Sequence, residues 1–146
     1  MAFPAPQLSL KGRALRLLSQ REHSRAELER KLAAHEEEPG TLVRALDELQ
    51  AKGFISEERV VESVIHRRAS KLGTARVQQE LAAKGLSSES MIEALEQLRS
   101  TEFERAREVW SRKFGEPASD PKERARQMRF LLSRGFAAEV VRKVTG

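Results

Sequence analysis

The chain has 146 residues, of which 39% are hydrophobic, 34% are charged and only 5% are aromatic. This mix is typical of helices with narrow apolar stripes rather than of a sheet core. The sequence contains no cysteine, which excludes a disulfide framework, a zinc finger and a cysteine nucleophile. It also has no run of about 18 apolar residues and no apolar stretch typical of a signal peptide, so we expect a cytoplasmic protein without a membrane span.

The formal net charge of +5 is unevenly distributed along the chain. Three tracts, residues 1–21, 63–79 and 124–138, contain several basic residues and no acidic one. Basic clusters spaced in this way are the electrostatic footprint of a polyanion binder. Solvated helix faces give the same pattern, so charge alone leaves both interpretations open.

The first three helices are predicted from apolar spacing and capping residues. Residues 1–8 contain two prolines and are predicted to be a disordered lead-in. Ser24 with Glu27 three residues later forms a capping-box pattern at the start of the second helix. The third helix spans about residues 41–52 and ends at Gly53. The residues expected on the apolar faces of these helices are Leu10, Ala14, Leu17, Leu18, Leu28, Leu32, Leu42, Leu46 and Leu49.

The middle helices are bounded by small polar residues and glycines. Ser56 is predicted to cap the fourth helix and Gly73 the fifth, which ends at Gly85 and Leu86. Ser87 or the serine after it starts the sixth helix. The residues predicted to face inward are Val61, Val64, Ile65, Ala69, Val77, Leu81, Ile92, Leu95 and Leu98.

The last three helices are predicted from the same signals, namely capping residues, terminal glycines and apolar spacing. Asp120, Pro121 and Glu123 supply a cap, an N1 proline and a capping-box glutamate for the eighth helix. That helix ends at Gly135, and the ninth begins at about Ala137. The residues predicted to be buried are Phe103, Ala106 and Trp110 in the seventh helix and Val140, Val141 and Val144 in the ninth.

Two internal alignments indicate a repeat. RALDEL at residues 44–49 matches EALEQL at residues 93–98, and Leu81, Gly85 and Leu86 match the three residues at positions 131, 135 and 136. The two offsets are similar, which is the signature of a repeat architecture. We therefore predict an all-α fold of three tandem three-helix, helix-turn-helix-like repeats. The predicted boundaries are 9–55, 56–100 and 101–146.

No motif in the sequence indicates catalysis. His23, His35 and His66 are far apart and have no metal-ligand spacing, and His23 and His66 are interpreted as surface or cap-adjacent residues. No glycine-rich phosphate loop is present, and the carboxylates alternate with bases as surface pairs do. We predict a protein that is not an enzyme and needs neither a metal nor another cofactor.

The basic residues are the candidate site. Some of them crowd the corner between the fourth and fifth helices, and others form a stripe on the eighth helix opposite Ala125, Met128 and Leu132. Such positions offer fixed cations to phosphate groups, whereas the sparse aromatics give little support to base stacking. The candidate nucleic-acid-binding residues are Arg67, Arg68, Lys71 and Arg76 at the corner, and Lys122, Arg126 and Arg129 on the stripe.

Four segments carry a resemblance to a known family. They are REHSRAELERKL at 21–32, GFISEERVVESVIHRR at 53–68, GTARVQQELAAKGL at 73–86 and KERARQMRFLLSRGF at 122–136. In this order they resemble RecX, the family of regulatory proteins of the RecA recombinase. The chain departs from the family pattern at residues 58–60 (Glu, Arg, Val) and at 73–75 (Gly, Thr, Ala). The second departure is expected to change how the chain enters the fifth helix, and it leaves the basic residues in place.

The resemblance implies an elongated, curved stack of the three repeats that lodges in the groove of the RecA filament on single-stranded DNA. Family members inhibit ATP hydrolysis, filament extension and strand exchange by RecA. They can also bind single- and double-stranded DNA without sequence preference. The resemblance implies no cofactor, and we expect a monomer.

Two other classes of function fit the same residues. A stand-alone helix-turn-helix transcriptional regulator would prefer one duplex over random sequence by roughly 10³ or more. A helical adaptor that binds only protein would not need the basic corner for DNA retention. The spread of cations over three tracts, without a single helix rich in Asn, Gln and Arg, favours sequence-tolerant binding.

Overall fold

The computed structural model describes residues 7–146, which form nine α-helices and no β-strand. The helices are α1 (Leu10–Gln20), α2 (Arg25–Leu32), α3 (Thr41–Ala51), α4 (Glu57–Arg68), α5 (Thr74–Ala83), α6 (Ser88–Ser100), α7 (Glu102–Lys113), α8 (Pro121–Ser133) and α9 (Ala138–Thr145). A short 3₁₀ turn, Ala33–His35, follows α2. The all-α prediction is confirmed, and most of the predicted disordered lead-in, residues 1–6, lies outside the described residues.

Side-chain caps explain where several helices begin. Ser24 accepts a hydrogen bond from the Glu27 amide at 3.1 Å, and the Glu27 carboxylate accepts one from the Ser24 amide, which completes the predicted capping box. Asp120 caps α8 by accepting from the Glu123 amide at 2.7 Å. The capping box predicted there is wrong, because both carboxylate oxygens of Glu123 accept hydrogen bonds from Arg126.

Glycines end α3 and α8 in the left-handed conformation. Gly53 has φ 85° and Gly135 has φ 89°, values that a side chain rarely tolerates. The amide of Phe54 then donates to the Leu49 carbonyl at 2.9 Å, which satisfies one of the last carbonyls of α3. This is the Schellman arrangement, and the sequence pattern of Gly followed by an apolar residue predicts it.

The described part of the first compact unit runs from residue 7 to Val60 and has its own apolar core. The buried members of this core are Ala14, Leu28, Leu32, Leu42, Leu46, Leu49 and Ile55. The surface interpretation of His23 is wrong, since its side chain is buried in this unit and only 1% exposed. It does lie next to a cap, immediately before Ser24.

The second compact unit, Val61–Gly146, contains two apolar clusters. Leu81 and Leu131 are fully buried in them, as their repeat positions predict. The predicted inner positions of Ile92 and Phe103 are wrong, because these side chains are 57% and 39% exposed. Residues next to them are buried instead, namely Met91 and Glu102.

Two glycine turns approach closely inside the second unit. The amide of Gly73, which precedes α5, donates to the Arg134 carbonyl at the end of α8 at 2.8 Å. A Cβ added at Gly73 would overlap the carbonyl of Gly135. The start of α5 and the end of α8 therefore meet backbone to backbone.

Arg105 joins three helix ends at the same junction. Its guanidinium donates to the carbonyls of Ala69, Leu72 and Leu98 at 2.9, 2.6 and 2.8 Å. The remaining donors bind the hydroxyl groups of Thr74 and Thr101, both at 3.1 Å. Burial lowers the pKa of Arg105, and a neighbouring carboxylate opposes this effect. All five donors of the guanidinium have acceptors.

Candidate nucleic-acid interface

A groove in the second unit collects positive charge. It has a volume of about 770 Å³ and lies between the end of α4, α5, the second half of α7 and the end of α8. Six cations and a single carboxylate, that of Glu80, line it. We call it the basic groove. Its cations are Arg68, Lys71, Arg76, Arg112, Lys113 and Arg134.

The structure brings together most of the predicted corner between α4 and α5. Arg68, Lys71 and Arg76 all line the basic groove. Arg67 is exposed but does not line it, because it points elsewhere from the last turn of α4. Local helix geometry therefore separates neighbouring arginines that the sequence groups together.

Three of the groove cations are held by the protein itself. Arg76 donates to the Ser133 carbonyl at 2.8 Å, and Arg112 donates to the Ser70 carbonyl at 2.7 Å. Arg68 donates to Glu80 across a longer distance of 3.3 Å. Because these contacts fix the guanidinium groups, the rotamer entropy lost on binding an anion is reduced.

Two further cations flank an aromatic ring at the side of the groove. The Lys113 ammonium lies 5.2 Å from the ring centre of Phe130, and the Arg134 guanidinium lies 4.7 Å from it. Phe130 also packs edge-on against Phe114 at 5.5 Å. These cation–π contacts keep both charges near the groove without neutralising them.

Lys71 is the most available of the groove cations. Its side chain is exposed, and within residues 7–146 its ammonium forms no ion pair or hydrogen bond. A flexible ammonium of this kind can follow an anion without breaking a contact in the protein.

Arg112, Lys113 and Arg134 are not among the site residues that the sequence predicts. Arg134 belongs to the acid-free tract 124–138, which was a usable signal. Arg112 and Lys113 lie in a segment with mixed charge, and only the packing of α7 against α8 brings them to the groove.

The predicted stripe on α8 does not join the basic groove. Lys122, Arg126 and Arg129 are exposed, and none of them lines it. Arg126 pairs with Glu123 at 2.9 Å and lies 5.4 Å from the ring centre of Phe114. Hydrogen bonding from Arg126 lowers the pKa of Glu123. The stripe is thus a second basic surface, partly neutralised by its own carboxylate.

Within residues 7–146, no group of three His, Asp or Glu side chains is placed to hold a metal ion. No helix in the same range combines the length and apolar character that crossing a membrane requires.

Family models match the chain in three consecutive parts. They are described as the first, second and third three-helix domains of RecX and match residues 11–49, 56–95 and 100–145. The regulatory protein RecX of Leptothrix cholodnii is 59% identical over 144 residues, which cover 99% of this chain and 92% of the relative. The chain belongs to the RecX family.

Other members support the same assignment. The regulatory protein RecX of Ralstonia nicotianae is 49% identical and is covered over 91% of its length, with 99% of this chain aligned. The crystal structure of RecX from Lactobacillus salivarius matches with a TM-score of 0.72 at 17% identity, covering 92% of this chain and 91% of that one. A second crystal structure of a regulatory protein RecX has a TM-score of 0.74 at 18% identity, covering 92% and 70% of the two chains. The family fold of three three-helix domains is therefore confirmed, and the repeat boundaries stay a prediction.

Proposed function

We propose that this protein is a negative modulator of RecA that binds the groove of the RecA filament on single-stranded DNA. It inhibits ATP hydrolysis, filament extension and strand exchange, and it binds DNA directly through its basic surfaces without reading sequence. Membership of the RecX family supports the regulatory role. The proposal also includes action in the cytoplasm, as a monomer and without a cofactor.

The basic groove is the observation that carries the proposal. Six cations and one carboxylate in a single concave surface form a strong attractor for phosphate groups. Backbone carbonyls hold two of the arginines and an aromatic ring flanks two other cations, so the positive charges converge on one place. Contacts of this type position a nucleic-acid backbone but carry no sequence information.

Inhibition requires that the protein bind one state of the filament better than another. A ligand with equal affinity for both states shifts no equilibrium, however tightly it binds. The protein must therefore prefer a filament state that hydrolyses ATP slowly or sheds subunits. A protein of three tandem helical domains bound in the filament groove would contact DNA and successive RecA subunits together.

The decisive measurement is the ATPase rate of RecA on single-stranded DNA during titration with the purified protein. We expect turnover to fall at protein-to-RecA ratios below one. Turnover that stays constant across the titration would disprove the proposal. A preference of roughly 10³ or more for one duplex would instead favour the helix-turn-helix transcriptional regulator.

A double variant, Lys71→Ala with Lys113→Ala, tests whether the basic groove is responsible. Neither ammonium has a hydrogen-bonded partner among the described residues, so the fold should be kept. We expect half-inhibition to need roughly tenfold more protein, since two phosphate contacts are lost. The matched control is Arg44→Ala with Arg107→Ala, which removes two exposed charges outside both basic surfaces. Equal inhibition by the two double variants would exclude a specific role for the groove.

A further inference from the structure

A second cleft adjoins the basic groove along α5. It has a volume of about 490 Å³ and lies between α5, the end of α6, the start of α7 and the turn from α8 to α9. Arg76 and Gln79 line both surfaces, so the groove and the cleft share one wall. We call this surface the second cleft, and its other exposed side chains are Ala75, Gln78, Arg99, Leu132 and Ala137.

The wall between the basic groove and the second cleft is held in place. The side chain of Arg76 crosses Gly135 so closely that a Cβ on that glycine would overlap Cβ and Cγ of Arg76. The Arg76 guanidinium then donates to the Ser133 carbonyl at 2.8 Å. Because the whole side chain is fixed, a ligand meets two separate, preformed surfaces that join at Arg76.

The second cleft is poorly suited to DNA. Among the described residues that line it, Arg99 is the one cation besides the shared Arg76, whereas six cations line the basic groove. The cleft also contains the carboxylate of Glu102. Its aromatic residue, Phe136, is only 3% exposed and presents no ring face on which a base could stack. The phosphates and bases of a strand therefore gain little here.

The accessible groups of the second cleft match a protein segment instead. Leu132 is 43% exposed, although it is a large apolar side chain. Gln78 and Arg99 are exposed, and their side chains form no hydrogen bond or ion pair within residues 7–146. An amide side chain can both donate to and accept from a peptide backbone, and a guanidinium can bind a carboxylate through two parallel hydrogen bonds. Apolar and arginine side chains in one cleft are typical of a protein interface.

We propose that the second cleft is a protein-docking site, in which an apolar side chain of the partner packs on Leu132 and a neighbouring carboxylate of the partner pairs with Arg99. Charge complementarity selects the carboxylate, because the cleft's own acidic group, on Glu102, already accepts a hydrogen bond from the Thr74 amide at 2.8 Å. The inference rests on the proposed function, which supplies RecA as the partner. DNA phosphates then lie in the basic groove and a RecA segment lies in the second cleft, on surfaces that meet at Arg76.

The experiment measures two affinities separately, one for purified RecA without DNA and the other for a mixed-sequence single strand without RecA. Leu132→Ser removes the apolar contact and changes no charge. We expect its affinity for RecA to fall roughly tenfold, which is the effect of losing one interface anchor. Its affinity for the single strand should stay within about twofold of the native value, because no cation is altered.

Arg99→Gln tests the pairing with a carboxylate. We expect RecA binding to weaken by up to about fivefold, with the larger loss at low salt, where a surface ion pair is least screened. An equal loss at low and high salt would contradict the ion pair.

Two further variants serve as controls for Leu132→Ser. Leu132→Met keeps an apolar side chain of similar size and should bind RecA as the native protein does. Ile92→Ser is the matched control, since Ile92 is 57% exposed on α6 and lines neither the groove nor the cleft. It should leave both affinities unchanged. Retained binding of the single strand by Leu132→Ser shows that this variant is folded.

Several results would overturn the inference. The native protein could fail to bind RecA without DNA, Leu132→Ser could bind RecA as tightly as the native protein, or Ile92→Ser could weaken RecA binding equally. Leu132→Ser could also lose affinity for the single strand by the same factor as for RecA, which would make the cleft part of the DNA surface.

The inference and the proposed function fail separately, because the ATPase titration uses only the native protein. Inhibition of ATP turnover together with unaltered RecA binding by Leu132→Ser removes the inference alone. Constant turnover together with a selective loss of RecA binding in Leu132→Ser removes the proposed inhibition alone.

Discussion

His23 is a buried imidazole whose surroundings favour the neutral form. Its Nδ1 lies 3.0 Å from the Arg21 carbonyl, which can only accept, so Nδ1 carries the proton. Its Nε2 lies 3.1 Å from the Lys31 ammonium, which can only donate. Burial lowers the pKa of His23, and the positive charges of Arg21 and Lys31 add to this, although the Arg21 carbonyl and Glu27 oppose it. A second proton, added at Nε2 of His23, would lie against the positively charged ammonium of Lys31.

The stability of the protein should therefore fall as the pH decreases through the usual histidine pKa of 6.5. Below that pH the unfolded chain binds a proton at His23 that the folded chain does not, and this favours unfolding. The contribution of the neutral ring is fully present above that pH. Urea unfolding between pH 5 and 8 measures the slope.

The control for this prediction is His66, which is exposed. We expect His23→Gln to lose stability at pH 8 and to have a flatter pH dependence, whereas His66→Gln should keep the native profile. An unchanged slope in His23→Gln would show that another group carries the pH dependence.

At the scale of elements, the turn before α5 and the turn after α8 meet with no room for a side chain. Gly73 has an ordinary φ of −74°, so a side chain there is forbidden only by its neighbour. Gly53, in contrast, has φ 85° and open space around its Cα. The two glycines are needed for different physical reasons, one for close approach and the other for conformation.

Gly73→Ala should thus destabilise the protein more than Gly53→Ala does. The strain at Gly53 is worth about 1 kcal/mol. The overlap at Gly73 is with backbone, which cannot rotate away, and we expect a loss of roughly 2–3 kcal/mol or more. Chemical denaturation of the two variants checks the order. A neutral Gly73→Ala would mean that the turns can separate without loss.

Helix ends were predictable because their signals are local. Ser24 with Glu27, and Asp120 with Pro121, specify a start within a few residues of sequence. The inward face of α6 was less certain, since Leu95 and Leu98 fit a stripe with either Met91 or Ile92. The position of the neighbouring helices decides between them, and this information is not local.

The basic groove also combines residues that the sequence predicts with residues that only the tertiary structure reveals. Arg68, Lys71 and Arg76 are close in sequence and were found from it. Arg112 and Lys113 reach the groove from α7 through the packing of the second unit. The sequence also could not predict that Oε2 of Glu80 is buried without a hydrogen-bond donor among the described residues, because hydrogen-bond satisfaction depends on tertiary contacts.

At the scale of the whole molecule, charge rather than shape complementarity should dominate DNA affinity. A net charge of +5 with clustered cations implies that counterions are released on binding, so affinity falls steeply with salt. Removing the ammonium groups of Lys71 and Lys113 should make the slope of log affinity against log salt shallower by about 1 to 2. Fluorescence anisotropy with a single strand at several salt concentrations measures this slope. Parallel lines for the native protein and the double variant would place the phosphate contacts elsewhere.

The chain combines three family domains with two compact units. The first unit has its own core, whereas the third three-helix domain and most of the second, residues 61–95, lie together in the unit 61–146. The glycine turns and the contacts of Arg105 explain why these two domains form one unit. Polar and backbone contacts therefore hold together what apolar clusters alone would leave as two small cores.

The contacts of Arg105 have a consequence for how this protein can evolve. In the segment between α4 and α5 its guanidinium binds the carbonyls of Ala69 and Leu72, which are present whatever side chains those positions carry. Ser70 and Lys71 lie between these two anchors and are exposed. Substitution of Lys71, which lines the groove, can change the charge that the groove presents while the junction keeps its geometry. The charge of the groove is thus free to diverge among relatives on an unchanged scaffold.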